Sequence, residues 1–280
     1  MKTAIIAPIA ELGSFDHTDK LHLVLSHLLS DDEYHRFYAD KRTKGDYLIL
    51  DNSAHEHRVP ATPKQLMQDA TLIQAQEIVL PDVPYDGELT LKLVGNALDY
   101  WPRYMHLGMM ELKPRMMFVP QGATLDEWRT CLFGLVLKVG RFYREYPEMI
   151  PPHKYTPVIG LPAKYEKQFG PGTIRKLLET WLKPNHEEGF AIHLLGCREL
   201  WGLNDLAQEF PWIRSIDSAK PVVYGRYGIL LDPMHTKEPE KIGRPENYFE
   251  LRLSDHQRTV AQHNETVFRN LAQGKYKGHK

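Results

Sequence analysis

Three aspartates in the sequence each follow a short apolar run. They are Asp51, Asp82 and Asp217, and two further runs end at or contain Gln121 and Gly160. A single aspartate in such a place is commonly a turn or capping residue. Three together, with a glutamine and a glycine in matching places, favour a functional site.

Carboxylates beside an amide suit two kinds of chemistry. A carboxylate can accept hydrogen bonds from the N1–H and amino edge of guanine, and an amide can donate to O6. A second carboxylate is then free to attack a sugar carbon, and a third to move protons. The same set suits a retaining glycosidase, in which two carboxylates lie about 5 Å apart. The residues alone leave both chemistries open.

Short buried strands are needed to position these residues. Seven apolar runs of four to six residues fall at 4–8, 47–51, 78–82, 116–121, 158–162, 192–196 and 213–217, and an eighth at 221–225 could close the set. Runs that are apolar nearly throughout are typical of parallel strands buried on both faces. Ligands of parallel α/β sheets bind at the carboxyl ends of the strands, where the aspartates fall.

Segments with helical spacing separate the runs. They cover residues 16–29, 62–73, 124–143, 174–182, 200–210 and 246–273, and Thr62 and Thr124 are typical capping residues. Alternating strands and helices predict a single-domain (β/α)8 barrel of the TIM type, with a doubly wound open sheet as the alternative. We expect a catalytic barrel over 1–245 and a C-terminal helix with a basic tail, packed on the barrel, over 246–280.

Composition excludes several classes of protein. The chain has 280 residues, 35 Lys+Arg against 36 Asp+Glu, and two cysteines, which excludes a disulfide framework and a four-cysteine zinc site. No apolar run approaches the roughly 20 residues of a membrane span, and Glu11 and Asp16 make the N-terminus a poor signal peptide. We expect a cytoplasmic protein with no membrane partner, and any nucleic-acid contact confined to a local basic patch.

The chain resembles the tRNA-guanine transglycosylase superfamily, (β/α)8 barrels that exchange guanine for a 7-deazaguanine without cutting the nucleic-acid backbone. Six short motifs of that family are echoed in the correct order. They are Asp51-Asn52-Ser53-Ala54-His55-Glu56, Leu80-Pro81-Asp82, Pro120-Gln121-Gly122, Ile159-Gly160-Leu161, His193-Leu194-Leu195-Gly196 and Ile213-Arg214-Ser215-Ile216-Asp217-Ser218. Each echo is weak alone, and together they carry the resemblance.

The resemblance implies a role for each matching residue. Asp217 would attack C1′ of the nucleotide to form a covalent glycosyl-enzyme intermediate. Asp51 would be the general acid and base, and Asp82 would read the N1 and amino edge of guanine. The remaining substrate-binding residues would be Gln121 and Gly160 at O6, His55 and Leu195 on the faces of the ring, and Gly122, Leu161 and Gly196 within the same motifs.

The family's zinc site is the main departure. That site uses three clustered cysteines and a histidine, whereas Cys131 and Cys197 are far apart here. A lone His263 cannot hold structural zinc, so we expect no metal and no other cofactor, and a hydrogen-bonded helix position for His263. A compact chain without the zinc insert most resembles the bacteriophage 7-deazaguanine DNA transglycosylases.

That branch of the family implies DNA and a free 7-deazaguanine base, such as preQ0, as the two substrates. The modified base protects a phage genome from restriction, and the enzyme would work in the host cytoplasm. Reaching guanine in a duplex requires base flipping, which phosphate contacts offset. The candidate DNA-binding residues are Lys41, Arg42, Lys44, Lys220 and Arg226, with the basic tail. The alternatives are a tRNA-guanine transglycosylase, a retaining glycosidase and a non-catalytic nucleic-acid-binding barrel.

Overall fold

The computed structural model describes residues 1–15, 19–57, 59–106, 113–150, 157–187, 189–197, 199–234 and 237–276. Eight strands are formed within these residues. They are β1 (Lys2–Ile5), β2 (Leu21–Leu25), β3 (Tyr47–Asp51), β4 (Glu77–Val79), β5 (Arg115–Phe118), β6 (Val158–Pro162), β7 (Ala191–Leu195) and β8 (Ser215–Ser218).

Helices separate most of the strands. They are α1 (Asp32–Thr43), α2 (Ala54–His57), α3 (Pro63–Leu72), α4 (Gly87–His106), α5 (Leu125–Glu145), α6 (Tyr165–Gln168), α7 (Thr173–Leu177), α8 (Lys183–Glu187), α9 (Leu200–Glu209), α10 (Lys220–Arg226) and α11 (Asp255–Ala272). Short 3-10 helices cover Ile9–Ser14, Ser26–Leu28, Pro147–Met149 and Tyr248–Glu250, and a π-helical segment, Leu178–Leu182, joins α7 to α8. None of the helices in the described ranges is both long and apolar enough to cross a membrane.

The strands belong to one sheet in the order β1-β8-β7-β6-β5-β4-β3-β2. The strand pairs with a defined register, which include β1 with β8, β3 with β4 and β7 with β8, are parallel. Neighbours in the sheet are thus neighbours in the chain, apart from β1 and β8, and helices connect them. This is the strand order of a (β/α)8 barrel of the TIM type, which confirms the predicted fold class.

The chain divides into two compact units, whose boundaries fall within β2 and β7. The first unit holds Met1–Leu23 and His193–Lys280, and the second holds Val24–Ile192. In the second unit β3 to β6 are buried almost completely, with apolar side chains on both faces. The helix α3 packs on β3, and α4 packs on both α3 and α5. Thr62 and Thr124 cap α3 and α5 as predicted.

The C-terminal helix α11 belongs to the first unit, where it packs on α10, α9 and β1. A capping box formed by Ser254 and Gln257 begins the helix. Its Arg258 Nε donates to the buried Glu11 Oε2 at 2.8 Å, and the pKa of Glu11 is lowered because hydrogen bonds to its carboxylate outweigh the opposing effect of burial. The helix is therefore tied to the N-terminal segment. The last four residues of the predicted basic tail, 277–280, lie outside the described residues.

Two of the predicted elements are wrong in type, and one is wrong in extent. The segment predicted as a helix over 16–29 contains β2, and the run at 221–225 that could close the strand set is α10. The helix predicted from Glu246 begins at Asp255. Every residue of β2 is buried, so the strand shows no alternation of apolar and polar residues. Its apolar residues therefore matched helical spacing although the segment is a strand.

Gly225 allows α10 to lie close to α11. A Cβ atom on Gly225 would lie 2.5 Å from the Cα atom of Ala261 in α11, so only glycine permits this close approach of the two backbones.

Replacing Gly225 by alanine should therefore destabilise the protein. We expect a loss of about 1–3 kcal/mol in the free energy of unfolding, because the added methyl group meets backbone that cannot move alone. Gly243→Ala is the matched control, since no atom lies within 4 Å of a Cβ at that position. Denaturant unfolding monitored by circular dichroism measures both variants. Equal unfolding midpoints for the two variants would show that α10 and α11 leave room for a methyl group at position 225.

Candidate active site

A buried carboxylate joins three neighbouring strand ends of the second unit. Asp82 lies three residues beyond β4, Asn52 follows β3, and Gln121 lies three residues beyond β5. Asn52 Nδ2 donates to Asp82 Oδ1 at 2.8 Å, and Gln121 Nε2 donates to Asp82 Oδ2 at 2.5 Å. Asn52 Nδ2 also donates to the carbonyl of Leu80 at 2.7 Å. The structure thus brings the predicted residues Asp82 and Gln121 into direct contact.

Burial sets the electrostatics of Asp82, which is 7% exposed. Burial raises the pKa of Asp82 above the ordinary value of an aspartate. The hydrogen bonds from Asn52 and Gln121, and the charges of Lys164 and His55, oppose this rise in pKa. Asp82 is therefore a buried acid whose ionised form depends on the donors and cations around it.

A tight turn fixes Asp51 next to this group. The backbone N–H of Ser53 donates to Asp51 Oδ2 at 2.8 Å, and that of Ala54 donates to Asn52 Oδ1 at 2.8 Å. Ser53 has a φ of 58°, a left-handed conformation that is uncommon for residues other than glycine. Asp51 is half-buried, and His55 is exposed on the short helix α2 that follows. The turn therefore orients Asp51 and begins the helix that carries His55.

The Gln121 amide is held from its oxygen side as well. The backbone N–H of Tyr85 donates to Gln121 Oε1 at 3.3 Å. The single proton of the Tyr165 hydroxyl is shared between the carbonyl of Pro120, the shorter contact, and Gln121 Oε1 at 3.4 Å. These donors fix which end of the amide faces Asp82. Gly122 is required next in the chain, because a Cβ there would collide with the backbone nitrogen of Trp128.

Lys164 and Tyr85 are site residues that the sequence did not suggest. Lys164 Nζ lies 4.9 Å from the centre of the Tyr85 ring, and its charge acts on Asp82. Burial lowers the pKa of Lys164, and Asp82 partly offsets that effect. Tyr85 is 55% exposed and has a φ of 71°, which is strained for an aromatic residue. Strain of this kind is concentrated at functional sites.

A cavity of about 510 Å³ opens beside the same turn. Its wall includes Asn52 and Ser53, together with His27, His57 and the buried Asp69. Ser53 Oγ contacts His27 Nδ1 at 2.8 Å, and the rings of His27 and His57 meet edge to face at 4.7 Å. The volume lies within the range of small-molecule sites, about 300–1,000 Å³. A ligand-sized space therefore adjoins Asn52 and Ser53, the two residues that follow Asp51.

The other predicted base-binding residues lie in or just after β6 and β7. Gly160 and Leu161 are buried within β6. Leu195, the last residue of β7, is half-buried, and Gly196 follows with a φ of 76°. Their roles in base binding stay predictions.

Asp217 lies in β8 of the first unit and is 6% exposed. Its Oδ1 accepts from His193 Nε2 at 3.1 Å and from the backbone N–H of Gly196 at 3.1 Å. His193 Nδ1 contacts Ser215 Oγ at 2.8 Å, and Arg214 Nε donates to the same Oγ at 3.0 Å. The structure thus places Gly196 at Asp217 and adds His193 to the carboxylate.

Ser215, His193 and Asp217 have the order of a serine hydrolase triad, but their exposure does not fit one. Ser215 and His193 are both fully buried, at 0% exposed, so a substrate cannot reach the serine hydroxyl. Asp217 is the most exposed of the three. The chemistry of this cluster is therefore that of a carboxylate oriented by a histidine.

The basic residues predicted to bind DNA fall in two places. Lys41, Arg42 and Lys44 lie at the C-terminal end of α1, which leads into the amino end of β3. Arg42 Nε donates to the carbonyl of Gln74, and Lys44 pairs with Asp40 at 2.6 Å. These residues therefore lie at the opposite end of β3 from Asp51.

The other two candidates lie on α10. Lys220, at the start of α10 directly after β8, has its Nζ 3.7 Å from Glu238 Oε1. Arg226 ends α10 and stacks on Tyr227 at 5.2 Å. Lys220 is thus the one of these five cations that follows a strand's carboxyl end directly. The DNA contacts of all five residues stay predictions.

His263 has the hydrogen-bonded helix position expected for it. Its Nε2 contacts the carbonyl of Leu231 at 3.0 Å, and the neighbouring Asn264 Oδ1 accepts from the N–H of Leu231 at 2.8 Å. Both residues hold the segment after α10. Within the described ranges, no group of three or more His, Cys, Asp or Glu side chains is arranged to hold a metal ion.

No protein-family model matches the sequence, and no curated protein is significantly similar to it.

Asn52→Ala should make stability more sensitive to pH. The folded-state pKa of Asp82 is already raised, so the stability this group contributes is greatest below the ordinary aspartate pKa and falls as the pH rises through the folded value. Without the Asn52 donor the pKa rises further. We expect the free energy of unfolding to fall by about 1–3 kcal/mol near pH 7 and by less near pH 4.

Urea unfolding at the two pH values measures this effect, and a carbon-detected NMR titration of Asp82 gives the pKa directly. Asn247→Ala, at an exposed position, is the control. The same loss of stability at both pH values would mean that Asn52 does not support the ionised carboxylate.

Proposed function

We propose that the protein exchanges guanine in DNA for a 7-deazaguanine base through a covalent intermediate on Asp217. The observation that carries the proposal is the contact of the buried Asp82 with Gln121 at the ends of neighbouring strands. A carboxylate beside an amide matches the edge of guanine, which offers two donors and one acceptor.

The capacity of the two groups for further hydrogen bonds supports this reading. Each carboxylate oxygen of Asp82 has two lone pairs, so bonds from Asn52 and Gln121 leave room to accept the N1–H and amino protons of guanine. The Gln121 amide has two protons and uses one on Asp82, which leaves the other for O6. Because its oxygen is held by Tyr85 and Tyr165, the amide keeps its nitrogen towards Asp82.

In the proposed reaction Asp217 forms a bond to C1′ while the bond from C1′ to N9 of guanine breaks. The electron pair of the broken bond leaves with the base, and Asp51 supplies the proton that makes free guanine. The incoming 7-deazaguanine gives a proton to Asp51 and attacks C1′, which releases Asp217. Atoms and charge balance without a metal or redox partner, and the nucleic-acid backbone stays intact.

The turn that follows β3 suits Asp51 for this role. The cavity lined by Asn52 and Ser53, the two residues after Asp51, is large enough for a small molecule. The strained backbone of Ser53 holds the N–H that fixes Asp51. A proton-transfer group needs such fixed geometry to work on a bound base.

A retaining glycosidase is the alternative reading of the same carboxylates. Sugar-binding sites commonly offer aromatic platforms at the strand ends. Here Trp101, Trp128 and Trp201 lie in helices, Trp181 in the π-helical segment, and Trp212 before the amino end of β8. None of these five tryptophans follows the carboxyl end of a strand directly, so they do not support a sugar as the recognised group.

The choice of DNA over tRNA rests on the compact form of the chain and its resemblance to the DNA-modifying branch. In either polymer the target guanine leaves the base stack, at a cost of a few kcal/mol. Lys164 lies over the exposed ring of Tyr85 and its charge acts on Asp82, and Lys220 follows β8, the strand that holds Asp217. A flipped nucleotide can be gripped by such a pair of ring and cation.

Incorporation of labelled guanine into DNA tests the proposal. Wild-type protein should exchange labelled guanine into DNA, whereas Asp217→Asn should lose at least about 10³-fold of the rate because no covalent intermediate forms. Asp205→Asn, at an exposed position on α9, is the control and should retain the wild-type rate. Mass spectrometry of protein stopped during turnover should detect a nucleic-acid adduct on Asp217 only in the active proteins.

Parallel assays on tRNA and on an aryl glycoside separate the alternatives. Exchange into tRNA alone would replace DNA with tRNA as the polymer. Hydrolysis of the glycoside without any base exchange would identify a glycosidase. Wild-type protein that neither incorporates guanine nor forms an adduct would refute the proposed function.

A further inference from the structure

We propose that His193 is a positioning residue that aims Asp217, so that Oδ1 is held and Oδ2 is the atom that attacks C1′. This inference rests on the proposed function for its chemical consequence. It concerns the hydrogen-bonded chain from Arg214 through Ser215 and His193 to Asp217, of which the motif resemblance assigns a role to Asp217 alone.

The direction of the hydrogen bonds follows from what each group can donate. Arg214 has only donors, so its Nε–H must donate to Ser215 Oγ, at 3.0 Å. The single proton of Ser215 is then available for His193 Nδ1, at 2.8 Å. A neutral ring that accepts at Nδ1 carries its proton on Nε2, and this N–H donates to Asp217 Oδ1 at 3.1 Å. Ser215 thus selects the tautomer that serves Asp217.

Two donors from the same stretch of chain fix one carboxylate oxygen. His193 Nε2–H and the backbone N–H of Gly196 both donate to Oδ1 of Asp217. No donor among the described residues contacts Oδ2. The rotation of the carboxylate is therefore restricted, and Oδ2 keeps its lone pairs for the sugar carbon. Holding a nucleophile near its attack geometry lowers the barrier because orientation is settled beforehand.

Because His193 is fully buried, it can position Asp217 but cannot take part in the reaction directly. His193 and Ser215 are 0% exposed, and their polar atoms are engaged with one another and with Asp217. The histidine ring has no access to a substrate, so it cannot act as the acid or base in the exchange. Its effect on the reaction must pass through the orientation of Asp217.

Variants at His193 and Ser215 test the positioning role by kinetics. His193→Leu removes the donor, and we expect the glycosyl-enzyme intermediate to form about 10²-fold more slowly while the KM for the free base changes little. His193→Gln keeps an N–H at the place of Nε2 and should retain the rate within roughly tenfold. Ser215→Ala should give a rate between these two, because it removes the hydrogen bond that selects the tautomer of His193 but keeps the imidazole ring.

Folding is checked in each variant by its denaturation midpoint. If His193→Leu is poorly folded, Ser215→Ala and His193→Gln still give the comparison. Equal rates in wild type, His193→Leu and Ser215→Ala would overturn the proposal. A rise in the KM for the free base with an unchanged rate of intermediate formation would overturn it too, since that result indicates a role in base binding.

Nitrogen NMR of the histidine rings gives a readout that needs no activity. In labelled wild-type protein, the His193 signals should show a protonated Nε2 and an unprotonated Nδ1, and Ser215→Ala should disturb that state. A proton on Nδ1 in the wild type would overturn the inference. Wild-type protein without base exchange would refute the proposed function, whereas this spectrum would still decide the hydrogen bonds of His193.

Discussion

A carboxylate removed from water needs hydrogen-bond donors, and Asp82 obtains them from the residues that follow two other strands. Asn52 and Gln121 each donate to one of its oxygens, which ties together the ends of β3, β4 and β5. Contacts of neighbouring residues support this arrangement. Tyr85 and Tyr165 hold the oxygen of Gln121, and the turn at Ser53 fixes Asp51 beside Asn52. Loss of one donor would leave a buried acceptor unsatisfied, which costs more than the hydrogen bond itself.

The two buried aspartates differ in how their oxygens are used, and this difference distinguishes their proposed roles. Both oxygens of Asp82 accept from neutral amides, which suits a group that reads a hydrogen-bonding edge. In Asp217 both donors meet at Oδ1, which suits a group that must present its other oxygen. Environment, rather than residue type, thus assigns different tasks to chemically identical side chains.

The strand ends could be predicted from the sequence, but most of their partners could not. Short apolar runs that end in Asp51, Asp82 and Gln121 mark buried parallel strands, and the structure places these residues at or just beyond β3, β4 and β5. His193 lies within an apolar strand, so its contact with Asp217 has no signal in the sequence. Lys164 follows β6 like many surface lysines, and only the packing of Tyr85 and Tyr165 shows that it faces Asp82.

The sequence by itself determined the alternation of buried strands and helices, and with it the (β/α)8 class, because burial on both faces requires apolar runs of strand length. It did not determine the type of two segments. In β2 every residue is buried, so apolar spacing carries no information on the period, and in α10 the β-branched residues suggest a strand. Tertiary structure decided both segments. Residues 21–25 pair within the sheet, whereas Gly225 lets α10 pack against Ala261, and such long-range contacts outweigh local preference.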